Sequence, residues 1–146
     1  MSQRSVMQVV VAAAALLALP LAVDARDIGW KYTYETGSFL GGGKVARQGP
    51  VQLATGEKGE IKYEGTNIAT DEKGRNVFVG DIVMKFEDGS TITGRQNGTA
   101  DPKTLESTGA GEFTGGTGKY AGIAGTYTYS GLTLKAEARG TYELGK

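Results

Sequence analysis

Leu132-Thr133-Leu134-Lys135-Ala136-Glu137-Ala138-Arg139-Gly140-Thr141-Tyr142 is the stretch that decides the fold. Its side chains sort by alternate positions. Leu132, Leu134, Ala136, Ala138, Gly140 and Tyr142 fall on one face; Thr133, Lys135, Glu137, Arg139 and Thr141 fall on the other. A strand turns successive side chains to opposite sides, so this is a β-strand with one dry and one wet face, predicted over residues 132–144. The same period of two recurs at the start of the chain. Ile28, Trp30, Tyr32 and Tyr34 alternate there with Gly29, Lys31, Thr33 and Glu35.

Between these ends the pattern repeats with turns at regular intervals. Residues 37–49 read as a loop around Gly41-Gly42-Gly43, followed by a short strand over 51–55 and a turn over 56–59. Residues 60–70 alternate again and lead into Asp71-Glu72-Lys73-Gly74, a hairpin turn with glycine last. Residues 76–87 are apolar on both sides, which predicts a strand covered on both faces. Asp88-Gly89 is a strong hairpin signal. Strands over 91–100, 106–114 and 126–130 follow; Asp101-Pro102 turns the chain, and 115–125 makes a turn or one short helical turn.

The reading gives seven or eight strands with no helix between them. Without crossover helices the sheet is antiparallel. A sheet closed on itself has no sticky edges. The fold predicted is all-β: a closed antiparallel barrel of about eight strands, with a β-sandwich as the second choice.

Composition agrees with that choice. The chain has 146 residues, enough for one domain, and 24 glycines, none among the first 25 positions. In residues 26–146 this is close to three times the ordinary usage of about 7%. Glycine at this level weakens helices and suits turns and bent strands.

Residues 1–25 read as a signal peptide. Arg4 supplies the positive start, and an apolar run from Val9 to Val23 is broken only by Pro20. The run is shorter than the roughly 20 residues a membrane helix needs. Val23-Asp24-Ala25 puts small residues at the positions a signal peptidase reads, so cleavage is predicted after Ala25. The expectation is an exported protein, periplasmic or extracellular, with residues 26–146 forming the single barrel domain. No membrane span is expected once the leader is removed.

Charge and residue type narrow the chemistry. Lys plus Arg equals Asp plus Glu at 16 each, and the leader takes away one of each sign. A binder of phosphate backbones carries a basic excess, so nucleic acid is not an expected partner. The sequence has no cysteine and no histidine. Thiol nucleophiles, cysteine-bound zinc and every histidine-dependent triad are therefore excluded. Gly116-Thr117-Gly118 lacks the strand and helix that would make it a dinucleotide fingerprint. Gly118-Lys119 lacks the Ser or Thr of a phosphate loop. No organic cofactor and no metal is expected.

The segment Gly111-Glu112-Phe113-Thr114-Gly115-Gly116-Thr117-Gly118-Lys119-Tyr120-Ala121-Gly122-Ile123-Ala124-Gly125 resembles the allene oxide cyclase and dirigent barrels. In those proteins a strand ends in GGTG, followed by an aromatic, small residues and a final glycine before the next strand. The resemblance implies an eight-stranded antiparallel barrel whose lumen, in the plant relatives, holds an apolar or phenolic molecule. Those relatives cyclise a fatty-acid epoxide or guide radical coupling without a cofactor, and they assemble as trimers. The matched residues Gly115, Gly116, Thr117, Gly118, Tyr120, Gly122 and Gly125 form the family's structural turn. The cysteine near the cyclase pocket has no counterpart in this chain.

The candidate ligand-binding residues are Trp30, Tyr32, Tyr34, Tyr63, Asp81, Arg95, Tyr127 and Tyr129. If the aromatic rings face inward they line the interior, and their polar tips need partners; ordinary core packing is the other reading of the same rings. Asp81, mid-strand between Val79 and Val83, would need a partner if buried, and Arg95 on the next strand is the natural one. That pair reads either as an anchor inside a pocket or as a structural ion pair. Glu112 and Arg139 read as a surface pair. Small inward residues, among them Ala136, Ala138, Gly94 and Gly111, either leave an open lumen or let the walls close. The functional expectation is a barrel that binds a small apolar or phenolic ligand. A cofactor-free cyclase or dirigent-like enzyme and a fully packed interaction module are the alternatives.

Overall fold

The computed structural model describes residues 25–145; the signal peptide expected over residues 1–25 lies, apart from Ala25, outside them. Alternating side chains give nine strands in chain order. They are β1 (Arg26–Thr33), β2 (Thr36–Gly41), β3 (Lys44–Leu53), β4 (Lys58–Thr70), β5 (Asn76–Phe86), β6 (Thr91–Ala100), β7 (Glu106–Thr117), β8 (Ala124–Leu132) and β9 (Lys135–Glu143). The only helical element among the described residues is a single 3-10 turn, Gly118–Tyr120. No helix among them is long and apolar enough to cross a membrane.

Neighbouring strands pair antiparallel in the order β1-β9-β8-β7-β6-β5-β4-β3-β2. The sheet then closes, because β1 also pairs with β3 through Trp30↔Leu53, Lys31↔Gln52 and Tyr32↔Val51. Eight strands make the wall, and β2 is an extra strand held only by β3. The predicted closed antiparallel barrel is therefore the fold, and the sandwich is not.

Three local readings are corrected. Residues 37–49 are not a loop: β2 and the first half of β3 form a hairpin there, turning at Gly42-Gly43. The glycines hid the strands because they remove the side chains that carry a period. The last strand begins at Lys135, since Leu132 ends β8 and Thr133-Leu134 make the hairpin turn. The outer face of β5 is not covered, and Val83 is 41% exposed.

The seam is shaped by the junction between β1 and β2. There the chain bends, Glu35 N–H donates to the Gln48 carbonyl, and Gly49 of β3 faces the Thr33 carbonyl. A Cβ at Gly49 would overlap that backbone oxygen. Only glycine allows this approach.

The inner faces build one core. Trp30, Phe113 and Tyr127 pack in a triangle, with ring centroids 5.1 Å apart for Trp30–Tyr127, 5.1 Å for Phe113–Tyr127 and 6.1 Å for Trp30–Phe113. Ile61, Ile82, Met84 and Ile92 surround it and are almost wholly buried. One end is plugged. Tyr120, carried inward by the 3-10 turn, lies 5.6 Å from Phe86 and 6.4 Å from Tyr142, beside buried Ile123. Its hydroxyl donates to Glu57 Oε1 at 2.7 Å, and Lys119 pairs with the same carboxylate. Residues 118–123 thus seal the barrel; the turn or short helical turn expected over 115–125 is a single 3-10 turn, with 115–117 belonging to β7 and 124–125 to β8.

Candidate functional site

The opposite end is not sealed in the same way. A cup of about 40 Å³ opens there, with room for a few water molecules. Tyr32 reaches it from β1, Tyr34 from the link just after β1, Tyr63 from β4 and Tyr129 from β8. Period-two alternation sets Tyr32, Tyr63 and Tyr129 inward, since each shares its strand face with core residues, and Tyr34, just past the end of β1, is buried beside Tyr32 and Tyr63. Tyr32 and Tyr34 lie with ring centroids 5.0 Å apart, and Tyr34 and Tyr63 6.2 Å apart.

Glycines give these rings their places. Tyr63 lies over Gly65 and Gly80, and Tyr129 over Gly98 and Gly109. A Cβ at any of the four would overlap the tyrosine. An aromatic ring over a strand glycine covers backbone that would otherwise be bare, and it fixes the ring's direction.

The cup also has polar walls. Arg47 of β3, paired in register with Tyr63, is the only charged residue lining it among the described residues. Gln96 of β6, Ser107 of β7 and Thr133 of the β8–β9 turn add uncharged polar groups to the lining. At the floor, Tyr127 donates to Gln96 Oε1 at 2.8 Å.

Burial raises the pKa of every tyrosine in the cup. Tyr32, Tyr34 and Tyr63 are held above the ordinary phenol value by desolvation, reinforced by neighbouring tyrosines. The Arg47 guanidinium acts the other way on Tyr63 but does not overcome burial. Desolvation pushes Tyr129 up to about 12. At neutral pH all four are phenols able to donate hydrogen bonds, and none is a ready base.

Four of the eight candidate residues therefore meet in one place: Tyr32, Tyr34, Tyr63 and Tyr129. Trp30 and Tyr127 face inward in the same core cluster but do not line the cup. The Trp30 indole N–H is buried with no acceptor among the described residues.

Asp81 and Arg95 are not in the lumen, which corrects their assignment as ligand anchors. The inner face of β5 carries Gly80, Ile82, Met84 and Phe86, so odd positions, Asp81 included, point out. The predicted partnership does exist: Asp81 and Arg95 are in register and 3.4 Å apart, each side chain 60% exposed. It is a solvated pair on the outer wall. Glu112 and Arg139 do not meet, because β8 lies between β7 and β9.

Arg47, Gln96 and Phe78 were missed. Arg47 fell in a segment read as loop, where no face could be assigned. Its place two residues after Val45 and two before Gly49 was the available signal.

No known family model matches this chain. No curated protein is significantly similar to it. Among the described residues no group of three or more acidic side chains comes together as a metal site would require. What the site offers is aromatic surface, phenol donors and one cation.

Proposed function

We propose that this protein is an exported binding barrel whose tyrosine-lined mouth takes a small aromatic or phenolic ligand. The observation that carries the reading is the convergence of Tyr32, Tyr34, Tyr63 and Tyr129 on one open end of a barrel otherwise filled and plugged. Ligand sites combine apolar and aromatic walls with a few directed polar groups, and this cup has both. Rings stack on phenyl-type ligands, while protonated hydroxyls and Gln96 address polar substituents. Nothing in the cup resembles a poised acid–base pair, so binding rather than catalysis is the function the residues support.

One observation favours a second reading, that of a packed interaction module. The void of about 40 Å³ is smaller than the roughly 150 Å³ that encloses a benzene ring elsewhere. A ligand would sit partly in the open mouth. Native mass spectrometry of protein purified from its own host separates the two. A co-purifying aromatic or phenolic species supports the binding barrel; a bare chain across several growth conditions supports the packed module.

A further inference from the structure

Arg47 is the odd member of the cup. It lies on the inward face of β3, between Val45 and Gly49, and is half-buried. Among the described residues it is the only charged one lining the cup, and it takes part in no ion pair. Among the described residues no carboxylate lines the cup.

A half-buried, uncompensated guanidinium is costly to keep. Most cations among the described residues are exposed to water; Lys31 and Arg95 pair with Glu137 and Asp81 across the outer wall. Arg47 instead points its charge at a ring of tyrosines. A guanidinium has a planar fork that matches a carboxylate with two parallel hydrogen bonds, and its faces tolerate aromatic stacking.

Resting on the binding function proposed above, we infer that the ligand is an aromatic carboxylate, with its anionic group held by Arg47 and its ring among Tyr32, Tyr34, Tyr63 and Tyr129. The tyrosine hydroxyls stay protonated at neutral pH, so they add donors and no repulsion. Leu105, Leu132 and Leu134 flank Thr133 at the mouth and are about half exposed, 50%, 49% and 45%. They offer apolar contact to the part of a ring that projects from the cup.

The test uses the barrel purified without its leader and two nearly isosteric probes, benzoate and benzamide, titrated by calorimetry and by tyrosine ring NMR shifts. Benzoate binding at least ten-fold tighter than benzamide supports the inference, provided Arg47→Gln removes the preference and Arg47→Lys keeps part of it. Retained tyrosine shifts in the unliganded variants show that they fold. Equal binding of both probes, unchanged in Arg47→Gln, overturns the carboxylate inference and leaves an aromatic-binding barrel standing. Binding of neither probe, with no shift of Tyr32, Tyr34, Tyr63 or Tyr129, overturns the inference together with the binding function beneath it.

Discussion

The Tyr127 hydroxyl reaches from β8 across the whole of β7 to donate a 2.8 Å hydrogen bond to Gln96 Oε1 on β6, and both residues are buried. The bond is possible because β7 offers Gly111 at that level, directly under the tyrosine ring. It separates the packed core from the cup. Removing the hydroxyl strands a buried amide oxygen, which costs about 1–3 kcal/mol. Tyr127→Phe is expected to lose that much in urea unfolding. Gly111→Ala drives a methyl into the ring and the Arg95 carbonyl, and a further 1–3 kcal/mol is about what such overpacking costs. A Tyr127→Phe barrel as stable as the parent would refute this account of the floor.

Closure at the seam hangs on Gly49. Its missing Cβ leaves space for the Thr33 backbone, which has no way to retreat without breaking the β1–β3 pairing. Gly49→Ala is expected to cost about 4 kcal/mol or more, the range reserved for a specific structural break. Gly115→Ala is the control. There a Cβ meets only Thr93 Oγ1 at 3.4 Å, an ordinary contact, and the change should stay within about 1 kcal/mol. Thermal unfolding of the two variants side by side decides the point.

The plug depends on Tyr120. Tyr120→Phe loses the hydrogen bond to Glu57 and should cost about 1–2 kcal/mol, since the acceptor is charged but the pair is partly wet. Tyr120→Ala also empties the space against Phe86 and Tyr142, for a loss of about 3–5 kcal/mol. Amide hydrogen exchange should quicken around residues 118–123 and at the start of β4, while the cup end keeps its protection. Uniform acceleration throughout the barrel would show that the plug is not a local element.

Stability should fall at both extremes of pH, for opposite reasons. Asp71, Asp88 and Asp101 each accept backbone N–H bonds within their own turns, and those bonds hold their carboxyls below the ordinary carboxylate value. A carboxyl with a depressed folded pKa stabilises above the unfolded value and loses that effect as pH drops through the folded one. The melting temperature should therefore hold down to about pH 4 and decline below it. The buried tyrosines have raised values, so their contribution is complete below about pH 10 and is lost as pH climbs further. Phenolate absorbance should accordingly appear together with unfolding. An early, separate titration of most tyrosines would contradict their burial.

Asp81 and Arg95 supply a contrast on the outer wall. With both side chains 60% exposed, a double-mutant cycle should return about 0–1 kcal/mol. Neither Asp81→Ala nor Arg95→Ala should alter binding of an aromatic probe at the mouth. A changed affinity would mean that the outer wall communicates with the cup.

Much of this architecture is written in the order of residues alone. Alternation at 28–35, 60–70 and 132–144, punctuated by Asp71–Gly74 and Asp88-Gly89, dictates antiparallel strands, because a strand shows its two faces to two different solvents. The same alternation put Tyr32, Tyr34, Tyr63 and Tyr129 on inward faces. It could not tell which inward residues end up in the core and which at the mouth, because that depends on how far each strand is staggered when the sheet shuts. Trp30 and Tyr32 are two residues apart and both are buried in the core, yet only Tyr32 also lines the cup. Nor could it see Arg47 or β2, where glycines erase the period. Tertiary structure decided those matters, through the β1–β3 seam that sets the stagger and the glycine–tyrosine contacts that aim each ring.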